Sequence, residues 1–427
     1  MKKNVLIFSG GSYPAVEIYF CLQHNMLFNP IAASSYEDHS QFLFKESYCS
    51  LPYIWEQNFL TELNHLVEKK NVELIIPTHD TIAMFLMENE GNIKAKIVCS
   101  PYETTVLCRY KSLTYKKLIE YEFTPEIYDS MNDVKDFPVF CKKDVGEGSK
   151  DTYIVNDLCN LTKLLDTDKY LICEYLPGEE ITIDCFTDRY RELLFTSPRK
   201  RIRIMNGISA RSENFKMTNE LSEIVNTIND AIHFRGYWFV QLKKDKKGKF
   251  KLMEICTRFA GTFNLSKNLD VNLPLLALCD RLDMDVSVTP NNYKIVSDKT
   301  YIDRFKLNIS YDRVYVDFDD TIIFDRSKYN TFIMMFLYQC INQGKDLVLI
   351  SKHEYNLDDT MKKVHLNKDI FKEIIIVPIG MYKYEMMNDD KSSIFIDNSY
   401  AERKAVKEHL NIFTFDVSNI ECLIDWS

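Results

Sequence analysis

Short apolar runs alternate with helix-like segments along the N-terminal part of the chain. Asn4–Phe8 is apolar and is followed by a glycine turn, Ser9–Ser12, and then by apolar residues at helical spacing. Further apolar runs follow at Pro30–Ala33, Glu73–Pro77 and Ile97–Cys99. Strand, tight turn and helix in repeated order are typical of α/β domains with a parallel sheet. We therefore predict such a domain over roughly residues 1–105.

Two loops of this domain carry polar residues after a strand, where open parallel sheets bind their ligands. Gly10 and Gly11 are compatible with a phosphate-binding turn, but the GxGxxG fingerprint is missing, and a tight strand-to-helix turn is the simpler explanation. In the segment Thr78-His79-Asp80, His79 and Asp80 are placed to contact a substrate. Thr78 or Asp80 could instead only cap the following helix.

The next segment is predicted to contain a helix and a glycine-rich hairpin. Apolar positions at helical spacing indicate a helix over Tyr102–Glu122, which includes Lys111. The apolar run Phe137–Cys141 leads into Lys142, a loop with the sequence GEGSK, and a second strand at Thr152–Val155. The loop backbone could close over phosphates beside the Lys142 ammonium, or the element could be an ordinary surface hairpin.

A basic cluster lies in the middle of the chain. Arg199, Lys200, Arg201 and Arg203 follow an apolar segment, and Arg211 comes shortly afterwards. A local concentration of positive charge is a candidate site for an anion. It is also typical of a solvated edge strand, because Lys and Arg commonly protect sheet edges.

The strongly apolar run Tyr237–Leu242 and the segment Phe250–Glu254 predict a pair of antiparallel strands. Gln241 and Glu254 would then lie close together at one end of the pair. A carboxylate at the end of a strand can hold Mg²⁺, and Arg258, four residues further on, can clamp a phosphate or a carboxylate. The alternative is a core strand that ends in a surface ion pair.

The pattern of apolar strands restarts in the C-terminal third. The predicted strands are Arg313–Val316, Asp346–Ile350, Glu373–Val377 and Ile394–Ile396, and the spacing between them leaves room for helices or long connections. This arrangement predicts a second parallel sheet. Acidic and hydroxyl residues follow several of these strands, at the edge where parallel sheets form shared sites.

Composition and charge limit the classes of function. The length of 427 residues is compatible with about three domains, and the net charge of −9 argues against general nucleic-acid binding. Apolar runs are too short for a membrane span. The twelve cysteines form no CxxC pair, so reduced thiols in a cytoplasmic protein are the simplest expectation.

From Asn4 to about Asn308 the order of motifs resembles the ATP-grasp superfamily, and most closely its carbamoyl-phosphate-synthetase-like amino-acid and peptide ligases. The matching segments are FPVFCKK with GEGSK, CEYLPGEE, Gln241 and MEICTR, in the family's order. The resemblance implies an α/β and α+β multidomain protein: a parallel α/β domain at 1–105, then an ATP-grasp domain at 106–308 whose nucleotide lid spans about 125–178.

The resemblance also implies roles for individual residues. Lys111 would lie near the nucleotide, Lys142 would hold its α- and β-phosphates, and Gly146, Gly148 and Ser149 would form the phosphate lid. Glu174, Tyr175 and Leu176 would border the adenine, Glu180 would bind the ribose, Gln241 and Glu254 would ligate Mg²⁺, and Arg258 would stabilise the transferred phosphoryl group. Arg199, Arg201 and Arg211 are candidates for binding the substrate carboxylate.

One position departs from the pattern. The family usually has Asn two residues after the metal-binding Glu, and this chain has Cys256. A thiol is a poor ligand for Mg²⁺, which prefers hard oxygen ligands. A second metal would then have fewer protein ligands, and an ATP-binding regulator with a degenerate ligase site becomes the alternative function.

Residues 309–427 resemble the capless phosphatases of the haloacid-dehalogenase superfamily, which have a Rossmann-like fold. In the motif DFDDT, Asp317 would be the nucleophile and Asp319 the general acid and base. Ser351 would bind the phosphoryl group and Lys383 would neutralise charge. Asp397 would hold Mg²⁺ together with Asp317 and the backbone carbonyl of Asp319.

Both resemblances together imply an ATP-dependent carboxylate–amine ligase fused to a magnesium-dependent phosphatase. The implied cofactors are ATP and Mg²⁺, with Mn²⁺ as a possible substitute. The implied partners are a small-molecule carboxylate, an amine and a phosphorylated metabolite, and a homodimer is possible. Nucleic acid and membrane are not expected partners.

Overall fold

The computed structural model describes residues 2–146, 150–205, 208–299, 304–325, 327–353, 356–388 and 392–424. The chain divides into two units. Unit 1 comprises Met1–Asn264 and Leu273–Ser287, and unit 2 comprises Leu265–Asn272 and Val288–Ser427. The protein is a mixed α/β structure that contains two separate parallel sheets.

Unit 1 begins with a parallel five-stranded sheet in the order β3-β2-β1-β4-β5. Its elements are β1 (Lys3–Phe8), α1 (Tyr13–Leu22), β2 (Phe28–Ala33), α2 (Ser40–Leu43), β3 (Ser47–Tyr48), α3 (Phe59–Lys69), β4 (Val72–Pro77), α4 (Asp80–Glu88) and β5 (Lys96–Ile97). The predicted strands are confirmed, with small shifts at their ends, and the short β3 was not predicted. Strand side chains such as Leu6 and Ile75 are fully buried in the core of this domain.

The glycine turn after β1 is explained by close packing. A Cβ atom at Gly10 would lie 2.7 Å from the Cβ of Ala32 on the neighbouring strand, which is too close for any other residue. The side chain of Ser12 then caps α1 by accepting a hydrogen bond from the backbone of Ala15. These contacts give the turn a structural role.

The helix predicted over Tyr102–Glu122 is wrong in its extent, because the chain forms two shorter helices, α5 (Tyr102–Arg109) and α6 (Lys111–Lys117). Tyr110 between them has an extended backbone. The backbone N–H of Ser112 donates to the Asp144 carboxylate at 2.8 Å instead of continuing the first helix. This break brings Lys111 next to the start of the glycine-rich loop.

Two antiparallel sheets complete unit 1. The first has the order β6-β9-β7-β8 and the second contains the order β14-β13-β10-β11-β12. Their strands and the associated helices are β6 (Ile127–Tyr128), β7 (Val139–Lys142), β8 (Thr152–Val155), α7 (Leu158–Leu165), β9 (Leu171–Glu174), β10 (Glu180–Thr187), β11 (Leu193–Met205), β12 (Ile208–Asn214), α8 (Asn219–Ala231), β13 (Gly236–Lys244), β14 (Phe250–Cys256) and, after the short helix α9 (Asn264–Lys267), α10 (Leu273–Arg281). Only the first residue of α9 belongs to unit 1, and the other three belong to unit 2.

The strand that carries the basic cluster is an interior strand. β11 pairs with β10 on one side and with β12 on the other, so the edge-strand explanation of Arg199–Arg203 is wrong. Arg199 is only 2% exposed. Charged side chains in the middle of a sheet require partners or a ligand, because burying an unpaired charge is costly.

Unit 2 is built on a parallel sheet in the order β21-β20-β17-β22-β23, which confirms the predicted second parallel sheet. Its elements are β15 (Ile295–Asp298), β16 (Arg304–Leu307), β17 (Arg313–Val316), β18 (Ile323–Phe324), β19 (Lys328–Tyr329), α11 (Thr331–Asn342), β20 (Asp346–Ser351), α12 (Leu357–Lys363), β21 (Glu373–Ile376), β22 (Ser393–Ile396), α13 (Tyr400–Leu410) and β23 (Phe413–Phe415). The strand β17 lies at the centre and all four of its side chains are buried.

Two chain-wide features bear on the sequence-based expectations. Within the described ranges, no helix combines the length and the apolar character that crossing a bilayer requires. All twelve cysteines are free thiols. The chain therefore gains no covalent cross-links, and its core packing holds each unit together.

Candidate active sites

The strand pair β13–β14 places Gln241 and Glu254 directly opposite each other, as predicted from the sequence. The register then shifts, because Leu242 pairs with Leu252 and leaves Met253 as a bulged residue. The carbonyl oxygen of Met253 accepts hydrogen bonds from the Tyr115 hydroxyl at 2.6 Å and from the Lys142 ammonium at 3.1 Å. The bulge thus ties the strand that carries Glu254 to the lysine at the end of β7.

Lys142 is buried, although it carries a charge. Its Nζ atom donates to the Tyr115 hydroxyl at 2.5 Å as well as to Met253. Burial lowers the pKa of the Lys142 ammonium below its ordinary value. Both acceptors of this buried ammonium are neutral. An anionic ligand would stabilise the ammonium further, because a hydrogen bond between two charged groups is stronger than one to a neutral acceptor.

An apolar cleft lies beside Lys142. The segment Glu174-Tyr175-Leu176 forms one side of the cleft, and Phe140 and Leu252 contribute apolar side chains. Glu174 is oriented by the backbone N–H of Glu126, which donates to its carboxylate at 3.0 Å. A narrow cleft with apolar side chains in its walls suits a flat aromatic ring.

A larger cavity of about 450 Å³ is lined by Glu254 and Gln241. It is lined by strand residues of the antiparallel sheet, by the turn after β1 and by the start of α4: Gly11, Ser12, Tyr13, Pro14, Thr78, His79, Lys150, Thr182, Arg199, Arg201, Ser209, Phe239, Gln241, Glu254, Arg258, Ala260, Gly261 and Thr262. Buried within its wall, the Thr182 hydroxyl has no hydrogen-bond partner in the described part of the chain. Such a cavity has the size and polarity of a small-molecule site.

Arg258 is fixed by a partner that local sequence could not reveal. Its Nε atom lies 2.7 Å from Oδ2 of Asp80, at the first position of α4. Burial acts to raise the pKa of the Asp80 carboxyl, but the charge and hydrogen bond of Arg258, together with the charges of Arg109 and His79, outweigh burial, and the pKa is lowered. The cap of α4 is His79, which accepts from the backbone of Thr81, so the prediction that Thr78 or Asp80 caps this helix is wrong.

The three predicted substrate arginines lie on β11 and β12. Arg199 makes a bidentate ion pair with the buried Asp184, at 2.8 and 3.3 Å, and Arg201 pairs with Glu180, the predicted ribose-binding residue. Arg199 and Arg201 line the large cavity, and Arg211 lies on β12 opposite Arg203. An anionic substrate would therefore bind Arg199 and Arg201 either in addition to their carboxylate partners, Asp184 and Glu180, or in place of them.

The start of the glycine-rich loop is held by Lys111. Its Nζ atom donates to the carbonyl of Gly146 at 3.2 Å and lies 4.0 Å from Oε2 of Glu254. Lys111 thus links the loop to the carboxylate proposed to bind metal. Two other predicted lid residues, Gly148 and Ser149, lie outside the described residues.

The oxygen donors near the strand end fit Mg²⁺ only in part. Gln241 and Glu254 provide a carbonyl and a carboxylate oxygen side by side, which are the donors that Mg²⁺ prefers. Cys256 offers only sulfur, and burial raises the pKa of its thiol well above the ordinary value. The donor set is therefore suited to one metal ion held largely by Glu254 and water.

In unit 2, three charged groups meet at the carboxyl end of the parallel sheet. The Nζ atom of Lys383 lies 2.5 Å from Oδ1 of Asp317 and 2.6 Å from Oδ2 of Asp397. All three side chains are buried. Burial raises the pKa of both carboxyls, and Lys383 counteracts this shift. The sequence placed these residues far apart, and the fold brings them together.

The remaining polar groups surround Asp317. Thr321 donates to its carboxylate at 2.9 Å, and the hydroxyl of Ser351 is buried without a hydrogen-bond partner in the described ranges. No group of three or more His, Cys, Asp or Glu side chains is arranged around a common metal position in the part of the chain that is described. The two carboxylates Asp317 and Asp397 nevertheless fit Mg²⁺, which commonly keeps several waters and takes one or two carboxylates.

Sequence reasoning missed one residue of this site, His353. Its Nδ1 atom lies 2.7 Å from Oδ2 of Asp319, and its Nε2 atom lies 3.0 Å from the Thr360 hydroxyl on α12. The ring also packs edge-on against Phe318. The side chain of Asp319 is 40% exposed, whereas that of His353 is 2% exposed. The buried imidazole ring of His353 therefore fixes the position of the solvent-accessible carboxyl of Asp319. Its position two residues after Ser351 was the only available signal.

Comparison with protein families supports the ATP-grasp assignment for part of the chain. Residues 166–301 match the family described as "ATP-grasp in the biosynthetic pathway with Ter operon". This segment contains Glu174, Glu180, Gln241, Glu254 and Arg258. No curated protein shows significant sequence similarity to the chain.

Solved structures give the same fold. The biotin carboxylase domain of 2-oxoglutarate carboxylase from Hydrogenobacter thermophilus, solved with MgADP, ADP and bicarbonate, aligns with a TM-score of 0.58 at 14% identity, over 70% of this chain and 74% of that one. Staphylococcus aureus N5-carboxyaminoimidazole synthetase, solved with ADP, aligns with a TM-score of 0.58 at 16% identity, over 70% and 83%. The chain therefore shares the fold of these enzymes over 70% of its length, and residues 166–301 match an ATP-grasp family.

Proposed function

We propose that the chain is an ATP-dependent ligase that joins a carboxylate to an amine. The observation that carries this proposal is that Gln241 and Glu254 lie opposite each other and line the large cavity together with Arg258. Lys142, which lines the apolar cleft, is hydrogen-bonded to Met253, the residue next to Glu254. The ATP-grasp fold and the nucleotides bound in the structural neighbours support it. The family description supports a role in biosynthesis.

In this proposal the chain's residues mainly bind and orient the nucleotide. The cleft at Glu174-Tyr175-Leu176 takes the adenine, Glu180 takes the ribose, and the Lys142 ammonium takes the α- and β-phosphates. Lys111 and the loop that starts at Gly146 cover the phosphates. Bound Mg²⁺, or Mn²⁺ in its place, would be held by Gln241 and Glu254 and would neutralise phosphate charge.

The reaction would take place in the large cavity. A substrate carboxylate attacks the γ-phosphate of ATP, which gives an acylphosphate and ADP, and an amine then attacks the acyl carbon and releases phosphate. Arg258 faces this cavity and stabilises the transferred phosphoryl group, while Asp80 fixes its guanidinium. Arg199, Arg201 and Arg211 provide the positive charge that attracts the substrate carboxylate.

A substrate panel tests the ligase proposal. The full chain is incubated with ATP, Mg²⁺ and pairs of carboxylates and amino acids, and ADP and phosphate are measured. We expect ADP production that depends on a particular pair. Binding of ATP without ADP production from any pair would favour the alternative, an ATP-binding regulator with a degenerate ligase site, which the soft donor Cys256 suggests.

We further propose that residues 309–427 are a magnesium-dependent phosphatase of the haloacid-dehalogenase type. The cluster of Asp317, Lys383 and Asp397 carries this proposal. Asp317 would attack the phosphorus, Lys383 and Ser351 would stabilise the phosphoryl oxygens, and Asp319 would protonate the leaving group. A phosphorylated metabolite linked to the ligase substrate or product is the expected substrate.

His353 is expected to act as a positioning residue for Asp319. His353→Ala should lower kcat/KM for phenyl phosphate by about tenfold to a hundredfold, because a mobile Asp319 delivers its proton to the leaving group less well. The kcat/KM for 2,4-dinitrophenyl phosphate, whose leaving group needs no proton, should change little. Equal losses on both substrates would indicate a structural role only, and His365→Ala on the same segment serves as the control.

The domain division and the assembly also belong to the proposal. We assign residues 1–105, 106–308 and 309–427 to the α/β, ATP-grasp and phosphatase domains, with ligation and phosphate removal as consecutive steps. A homodimer is proposed because a structural neighbour is a biotin carboxylase domain dimer. Sedimentation of the full chain would decide between a monomer and a dimer.

A further inference from the structure

We propose that Arg109 binds the transferring phosphoryl group of the nucleotide, on the side where Cys256 removes an oxygen ligand for metal. The inference rests on the ligase proposal above and adds a residue that no motif of the sequence indicates. Arg109 is the last residue of α5, and its place in the fold comes from the break between α5 and α6.

A small cavity in unit 1 brings Arg109 to the proposed phosphoryl site. Three cations line it, namely Arg109, Lys111 and Arg258. The rest of its wall consists of Asp80, Cys108, Gly146, Glu254, Ile255 and Cys256. The same cavity is therefore bordered by Glu254, the carboxylate proposed to bind metal, by Gly146 at the start of the glycine-rich loop, and by Arg258, which also lines the large cavity.

The guanidinium of Arg109 is only partly satisfied by protein. Its Nη2 atom donates to the Thr81 hydroxyl at 2.9 Å. Its Nε atom is buried and has no hydrogen-bond partner in the part of the chain that the structure describes. A buried donor without an acceptor is costly, and an anionic oxygen in the cavity would satisfy it.

The charges around the cavity favour an anion. The three cations face two carboxylates, Asp80 and Glu254, and Asp80 is already paired with Arg258 at 2.7 Å. The positive charge of Arg109 also reaches Asp80, where it helps to keep that carboxyl ionised. One positive charge is left over, which a phosphoryl oxygen can neutralise.

Cys256 explains why a guanidinium is useful at this position. The thiol contributes no hard oxygen ligand, so this side of the site lacks a donor for a second metal ion. A guanidinium offers positive charge and N–H donors to phosphoryl oxygens without needing ligands of its own. We therefore infer that two groups neutralise the charge of the phosphates. One is a metal ion held by Gln241 and Glu254, and the other is the guanidinium of Arg109.

Nucleotide binding tests the role of Arg109 without turnover. The affinities of the full chain for ADP and for the non-hydrolysable analogue AMP-PNP are measured by calorimetry in Mg²⁺. Arg109→Met should weaken AMP-PNP binding by about tenfold to a hundredfold and leave ADP binding within about twofold. Arg109→Lys, which keeps the charge, should recover part of the loss, and Arg191→Met in an exposed turn is the control.

Equal losses for ADP and AMP-PNP, or no loss, would overturn the inference. A wild-type chain that binds neither nucleotide would overturn the ligase proposal itself, which separates the two failures.

A second measurement uses the unaltered chain. Electron paramagnetic resonance counts the Mn²⁺ ions that the chain gains when it binds AMP-PNP. One ion is expected, two ions would contradict the replacement of a metal by Arg109, and Cys256→Asn should raise the count.

Discussion

Asp317→Asn is expected to abolish hydrolysis of p-nitrophenyl phosphate, with a loss of about a thousandfold or more in kcat. The carboxylate of Asp317 is buried, faces Lys383 at 2.5 Å and accepts a hydrogen bond from Thr321. An amide of the same shape keeps the packing but cannot form the phosphorylated intermediate. The rate of p-nitrophenolate release from the full chain in Mg²⁺ is the measurement.

The control for this prediction is Asp358→Asn on α12, an exposed carboxylate that pairs with Lys368 at 3.5 Å. It should leave the rate within about twofold, since isolated surface ion pairs contribute little. ATP-dependent ADP production should be unaffected by either change. Residual hydrolysis by Asp317→Asn at the wild-type rate would remove Asp317 as the nucleophile and with it the phosphatase proposal.

Local patterns in the sequence predicted the strands that carry the sites. Gln241 and Glu254 were expected close together at one end of an antiparallel pair. The register confirms that they lie opposite each other, because the apolar residues of both strands fix which residues align, but it places them within the paired region and not at its end. The parallel sheet of unit 2 was likewise predictable, because its strands are short apolar runs separated by longer segments.

Partners distant in sequence were not predictable. Arg258 pairs with Asp80, which lies 178 positions earlier, and no local spacing relates the two. The bulge at Met253 depends on hydrogen bonds from Tyr115 and Lys142. His353 gave only a weak signal, because a buried histidine near a strand end is more often part of the core.

The two arginines of the proposed phosphoryl site illustrate the difference between local motifs and distant contacts. Arg258 was found because it follows Glu254 in a motif, whereas Arg109 has no motif and reaches the site through the break at Tyr110. That break depends on hydrogen bonds between Ser112 and Asp144, which lie on separate elements. Tertiary contacts of this kind override the helical periodicity from which the sequence predicted one continuous helix.

Glu254→Ala is expected to lower ATP turnover by about a hundredfold or more. Glu254 lies opposite Gln241, borders the large cavity and stands 4.0 Å from the Lys111 ammonium. Its removal takes away the only carboxylate of the proposed metal site and leaves the positive charges of Lys111 and Arg258 less compensated. ADP release with an accepted carboxylate and amine pair is the measurement.

Glu254→Gln separates charge from shape in the same experiment. The amide keeps the size of the side chain and one oxygen but loses the charge that Mg²⁺ requires, so it should be nearly as inactive as the alanine variant. Glu223→Ala, on the exposed face of α8, should keep wild-type turnover. Unchanged turnover in Glu254→Ala would refute the ligase proposal, because no other carboxylate in the strand pair β13–β14 can take the place of Glu254.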